Sequence, residues 1–201
     1  MKHTITLLLA GLCAVALAET KSDPIAIFVG GAKVSDSVLA EMRREVEATT
    51  ERTGILISWH DLHAPRETSS YADIVVIRLV GDCNEVADRA STDRGPKTLG
   101  STHTTDGRIL PFGDVFCEPV RQLIRPSLVG ATRQARGRIL GRALGRVLSH
   151  ELYHILGHTT VHGATGLAKA THSYEDLITG AFRFDERAEQ TMSEGPADSG
   201  R

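Results

Sequence analysis

The 201-residue sequence lacks a charge excess of either sign: 23 Lys and Arg stand against 25 Asp and Glu, a formal net charge of −2. A chain so balanced carries no electrostatic footprint for nucleic acid, whose phosphates demand a basic surface. The seven arginines from Arg121 to Arg146 leave that expectation in place. Three of them, Arg138, Arg142 and Arg146, recur every four residues on the side of a helix away from its apolar stripe, as on a solvated face. Cysteine is scarce, at three residues, and no CxxC pair accompanies any of them, which argues against thiolate-bound zinc. Internal repeats are missing, and the apolar run Ile5 to Leu17 falls short of the ~20 residues that span a bilayer.

That apolar run follows a short basic start, Met1, Lys2 and His3, and ends in Ala16, Leu17 and Ala18, an A-x-A cleavage site. Residues 1–18 therefore read as a secretory signal peptide, and the mature chain is expected to be secreted or periplasmic, with no membrane attachment after cleavage. Cleavage removes Cys13 and leaves Cys83 and Cys117, an even pair that predicts a disulfide in an oxidising compartment. Residues 19–192 are of a size for one domain, expected to be monomeric. The polar stretch 193–201, with Gly and Pro, reads as a flexible tail.

The chemistry concentrates in His150 to Gly163, HELYHILGHTTVHG. Residues four apart on a helix share a face at about 5–6 Å between Cβ atoms, so His150 and His154 can direct ring nitrogens at one Zn²⁺ ion. Glu151, about 100° round the helix axis, stands beside the ion without ligating it. There it can act as general base toward a water that the ion acidifies. The surrounding run Ala131 to Leu156 is amphipathic, with Leu140, Ala143, Leu144, Val147, Leu148 and Ile155 at helical spacing and both histidines at the stripe's edge.

Catalytic zinc usually takes three protein ligands and keeps one position open. His158 continues the series, but on an unbroken helix it would lie about 12 Å along the axis from His150. Gly157 is expected to stop the helix in the left-handed conformation. The chain can then return His162 to the metal, with Gly163 giving room for a further turn.

With His150, Glu151, His154 and Gly157 the sequence resembles the metzincin clan of zinc metallopeptidases, whose pattern is HExxHxxGxxH. It departs from that pattern in having Thr160 where the clan's third histidine falls, so that His162 as ligand requires two extra residues in the turn. The clan's methionine turn is also missing, since no methionine lies between Gly163 and Gln190. Ala170 to Leu177 is the expected substitute, and Met192 lies too near the tail. A gluzincin-like arrangement is the alternative: Glu175, about twenty residues after His154, would complete the site from a short helix capped by Ser173. In the metzincin-like mechanism Tyr174 could hydrogen-bond the oxyanion or simply pack.

Upstream, the pattern predicts an α/β layer. Strands are expected at Ile25–Val29, Ile55–Leu62, Ile74–Val80, Leu99–Thr104 and Arg108–Phe116, with a turn at Asp106 and Gly107. A helix should run from Ser35 or Asp36 to about Arg52, and Ile74–Val80, rich in Val and Ile, should be central. This order resembles the metzincin upper subdomain: a mixed twisted sheet with an edge strand over the cleft, packed on two helices, one carrying HExxH. The resemblance implies that Gly100, Ser101, Thr102 and His103 bind an extended peptide substrate by strand addition. His60 and His63 lack a third ligand at clear spacing and read as structural or surface residues. The function expected is a zinc-dependent metalloendopeptidase with one catalytic ion. The alternatives are a secreted zinc-binding module without peptidase activity and a zinc hydrolase of a non-peptide amide.

Overall fold

β-branched and apolar runs separated by glycine-bearing turns set the strand framework. A computed structural model describes residues 23–65, 69–85 and 98–194. The expected signal peptide, 1–18, lies outside the described residues, as do residues 195–201 of the expected tail.

Strand β1 (Ile25–Gly31) leads into helix α1 (Asp36–Thr50), which is followed by β2 (Ile57–Asp61), β3 (Asp73–Val80), β4 (Gly100–Thr105) and β5 (Arg108–Phe116). The strands form one sheet in the order β2-β1-β3-β5-β4, parallel except for β4, which runs antiparallel at the edge. The α/β expectation and the central place of β3 hold. Asp106 and Gly107 both take positive φ, 47° and 76°, the type I′ geometry whose twist suits a tight hairpin.

Two short helices that the sequence pattern did not foretell follow β5: α2 (Cys117–Leu123) and α3 (Arg125–Leu128). The long helix α4 (Arg133–Leu156) comes next, then a 3₁₀ turn (Gly166–Ala168), α5 (Tyr174–Ile178) and α6 (Glu186–Glu194). Ser193 and Glu194, assigned to the tail by composition, instead end α6. Apolar Ala188 and Met192 are its buried side, and burial on the core orders a helix whose sequence is otherwise polar.

The sheet buries one face. Along β3, Val75, Ile77 and Leu79 are buried while Ile74 and Arg78 are exposed, so the central strand alternates although its sequence is nearly continuous in Val and Ile. The buried face shares its core with Val38, Met42 and Val46 of α1 and with Leu140, Leu144 and Leu148 of α4. A disulfide between Cys83 and Cys117, with Cα atoms 4.9 Å apart, ties the chain after β3 to the start of α2. The pairing is the expected one. Among the described residues no helix is long and apolar enough to cross a membrane.

Helix α4 meets α1 along Gly137, Gly141 and Gly145, spaced four apart and all buried. A Cβ at Gly141 would stand 2.5 Å from the Val38 carbonyl oxygen and 2.6 Å from Glu41 Cβ; one at Gly145 would stand 2.8 Å from the Met42 carbonyl. Close to the same crossing, the Thr49 and Ser149 hydroxyls hydrogen-bond at 2.6 Å in the core. Arg146, assigned by spacing to a solvated face, is in fact 1 % exposed. Its charge is met by Glu45 of α1 at 2.7 Å, because the ridge it shares with Arg142 faces α1 and the chain after α5 rather than water.

The crossing generates a prediction in which two effects oppose each other. Gly141→Ala gains roughly 1 kcal/mol of helix propensity but overpacks a site bounded by backbone, which costs about 1–3 kcal/mol. The contact with the Val38 carbonyl cannot relax by a rotamer change, so the variant should melt at a lower temperature than wild type. A rise in melting temperature by calorimetry would contradict the close crossing.

Candidate metal centre

Helix α4 ends in a Schellman-type turn, with His158 N–H donating to the Ile155 carbonyl at 3.3 Å and Thr159 N–H to the His154 carbonyl at 3.1 Å. The left-handed residue is His158, φ 45°, and not Gly157, which stays right-handed at φ −81°. Gly157 is needed for space instead: a Cβ there would stand 2.8 Å from both the Tyr153 carbonyl oxygen and Thr191 Cγ2. His158 is exposed and stands apart from the other imidazoles.

The turn that follows is pinned to the helix it leaves. Thr159 presents its carbonyl to His154 Nδ1 at 2.7 Å, and the Tyr153 hydroxyl donates to the Val161 carbonyl at 2.9 Å. His162 is thereby carried back to the helix end. Its ring centroid lies 5.2 Å from that of His150 and 4.8 Å from that of His154. One nitrogen from each of His150, His154 and His162 falls within 4.8 Å of the others. Glu175, the alternative ligand, is exposed in the first turn of α5, where Ser173 caps the helix as expected.

The donor chemistry of the pair on α4 fits a metal ion. His150 Nδ1 donates to the Leu167 carbonyl at 2.7 Å and His154 Nδ1 to the Thr159 carbonyl. Burial lowers both pKa values, that of His150 to about 3, so each ring is neutral and its single proton is committed to a carbonyl. The two Nε2 lone pairs then face each other at 3.1 Å. Two acceptors so placed repel unless an electrophile lies between them. Nitrogens at about 2.0–2.1 Å from one tetrahedral ion stand about 3.3 Å apart, and carbonyl-anchored imidazoles are the usual way of fixing the ligating tautomer.

The segment beneath His150 comes earlier than the sequence suggested. Leu167 and Ala168 of the 3₁₀ turn, both fully buried, provide the support, whereas Ala170 and Thr171 line the cleft. His172, which spacing did not single out, also donates through Nε2 to the Leu167 carbonyl at 3.1 Å, and its ring stands 5.1 Å from that of His150. Burial lowers its pKa as well.

A cleft of about 970 Å³ opens over these groups, walled by Gly100, Ser101 and Thr102 of β4, by Pro119 and Leu123 of α2 and by Val147 of α4. Glu151 points into it, with Thr102 Oγ1 donating to Oε2 at 2.7 Å. Burial pushes the Glu151 carboxyl up to about 7, against the opposing effect of that hydrogen bond.

The remaining candidates are placed elsewhere. His103 turns to the other face of β4, where its Nε2 pairs with Asp114 at 3.0 Å, and Arg78 also grips that carboxylate. Tyr174 hydrogen-bonds Ser127 at 2.5 Å. His60 stacks on Phe28 and meets Tyr71 edge-on, and His63 is exposed.

Comparison of the chain with known protein families, with curated proteins and with solved structures returns no match. The site's chemistry rests on its own geometry.

Titration of the metal-free protein with Zn²⁺ against a chromophoric chelator should find one tight site. Each of His150→Ala, His154→Ala and His162→Ala should weaken it by more than the 10–100-fold typical of losing an outer hydrogen-bond partner, while Glu175→Ala leaves it unchanged. Loss of binding in Glu175→Ala, with retention in His162→Ala, would replace the three-histidine set.

Proposed function

We propose that the chain is an exported zinc metallopeptidase of metzincin-like type. The observation that carries the reading is the pair of facing Nε2 atoms of His150 and His154, 3.1 Å apart with both Nδ1 protons committed to carbonyls. A ring nitrogen of His162 lies within 4.8 Å of theirs, and Glu151 shares their cleft. The sheet order, with antiparallel β4 at the edge beside the cleft, supports the zincin fold. The disulfide supports an oxidising compartment and, with the signal-like residues 1–18, export.

The three imidazoles would hold one Zn²⁺ ion, which when bound supplies Lewis acidity toward a carbonyl and acidifies water. Leu167 and Thr159 orient two of those rings through their carbonyls, so ligand geometry does not depend on solvent. Glu151, one residue along the helix from His150, accepts a proton from the attacking water on its carboxylate and delivers it to the leaving nitrogen. Burial raises the pKa of this carboxyl in the metal-free site, the direction that helps it hold the proton before delivery. β4, the outermost strand of the sheet among the described residues, offers main-chain groups to an extended peptide, which makes peptides and proteins the substrate class.

Glu151→Gln keeps the shape of the side chain and removes the base. Cleavage of a quenched denatured-protein substrate should fall by about 10²–10⁴-fold, while bound zinc and melting temperature stay at wild-type levels. Full zinc occupancy in wild type with no turnover of any peptide would leave a zinc-binding module. Turnover confined to small amides would make the chain a hydrolase of another class.

A further inference from the structure

We infer that Thr102, with Gly100, is a positioning residue for Glu151, an inference that rests on the peptidase reading of the same cleft. The edge strand β4 was expected to meet substrate through Gly100, Ser101, Thr102 and His103. That expectation concerns its main chain; the side-chain positions of Gly100 and Thr102 face α4. The Thr102 hydroxyl donates to Glu151 Oε2 at 2.7 Å and stands 3.3 Å from the Glu151 main-chain oxygen. Gly100, two residues earlier on the same face, leaves room for the other carboxylate oxygen: a Cβ there would stand 2.5 Å from Glu151 Oε1 and 2.9 Å from Val147 Cγ1.

One carboxylate oxygen is thus held by a donor and the other is accommodated by a missing side chain. These are separate constraints on the same group, and they come from one strand. A glutamate side chain has three rotatable bonds and, next to a cleft of this size, several places to go. The Thr102 hydrogen bond selects one of them. A misplacement of about 1 Å in a reacting group costs on the order of 10²-fold in rate, so the geometry that Thr102 imposes is worth a large part of the base's effect. Ser101 and His103, on the opposite face of β4, take no part in it. The edge strand therefore has a divided role, with its main chain left to the substrate and the side-chain positions of Gly100 and Thr102 given to the base.

The test compares wild type with Thr102→Val, which keeps shape and loses the hydroxyl, and Thr102→Ser, which restores it. Peptide kinetics, bound zinc, melting temperature and crystal structures of the metal-free proteins would all be read. In Thr102→Val, kcat should fall by about 10–100-fold with KM within about twofold of wild type. Zinc content and melting temperature should not move, and Thr102→Ser should recover most of kcat. The Glu151 carboxylate should occupy one rotamer in wild type and Thr102→Ser and leave it in Thr102→Val. Gly100→Ala should displace the same carboxylate from its other side. An unmoved carboxylate with wild-type kcat in Thr102→Val overturns the inference. So does a parallel fall in kcat and melting temperature that serine does not rescue, since that is the signature of a strand-to-helix tie alone. Wild type that binds zinc and cleaves nothing sinks the peptidase reading. The crystal structures then decide the positioning role by themselves, and an unmoved Glu151 in Thr102→Val ends it.

Discussion

The close crossing of α1 and α4 is the constraint on which the cleft depends. Helix α4 can hold its histidine pair in place because most of its length is buried, and three glycines at four-residue spacing let it press backbone to backbone against α1. With α1 that close, Leu140, Leu144 and Leu148 reach the sheet, and His150, Glu151 and His154 are held under its edge. A wider crossing would move the two histidines relative to β4, and Glu151 would lose Thr102 and Gly100 together. Packing at one end of the helix thus sets chemistry at the other, through a rigid element about 36 Å long at 1.5 Å per residue.

The second half of the site is made by main chain. Each histidine on α4 gives its Nδ1 proton to a carbonyl from the segment that follows the helix, Thr159 for His154 and Leu167 for His150. Burial lowers the pKa values of both rings, and the carbonyls, which favour protonation, do not overcome it. Neutral rings with fixed tautomers are the form in which imidazole ligates a metal. The turn between the second histidine and His162 is longer by two residues than the resemblance implies, and the chain answers with added anchors. The Tyr153 hydroxyl holds the Val161 carbonyl, and the Thr159 hydroxyl accepts from the Val161 N–H at 3.0 Å.

What the sequence made legible was periodic. The strand runs, the amphipathic helix, the hairpin at Asp106 and Gly107 and the HExxH spacing are all short-range patterns, and the structure carries each of them. Arg146 shows where such reasoning stops: its spacing placed it correctly on the ridge with Arg142, but which face of α4 meets α1 is decided by tertiary packing. The glycines at 137, 141 and 145 were the visible sign of that packing, since glycine disfavours a helix interior unless something approaches closely. Gly157 misled in the opposite way, because a glycine required for space resembles one required for a left-handed turn. His172 and Thr102 carry no spacing signal, because their contacts with His150 and Glu151 are long-range and depend on how loops and strands return. Tail residues Ser193 and Glu194 were misplaced because α6 is stabilised by burial rather than by composition.

Arg146 also explains how the loop-rich segment after the site keeps its place. Its guanidinium donates to Glu45 and to the carbonyls of Asp176 and Thr179 at 2.6 and 2.7 Å and of Gly180 at 2.5 Å, and it lies 5.8 Å from the Phe182 ring centroid. Burying such a charge is costly unless its donors are met, and here one carboxylate and three carbonyls meet them. Those carbonyls sit at the end of α5 and just beyond it, where a short helix leaves acceptors unsatisfied. A lysine, with a single nitrogen, cannot reach the same set of acceptors in a fixed plane. The guanidinium therefore ties the chain that bears His172 and Phe182 to the helix that bears His150 and His154. That tie lets a wall of the cleft consist largely of irregular chain and still be built to the helix's register.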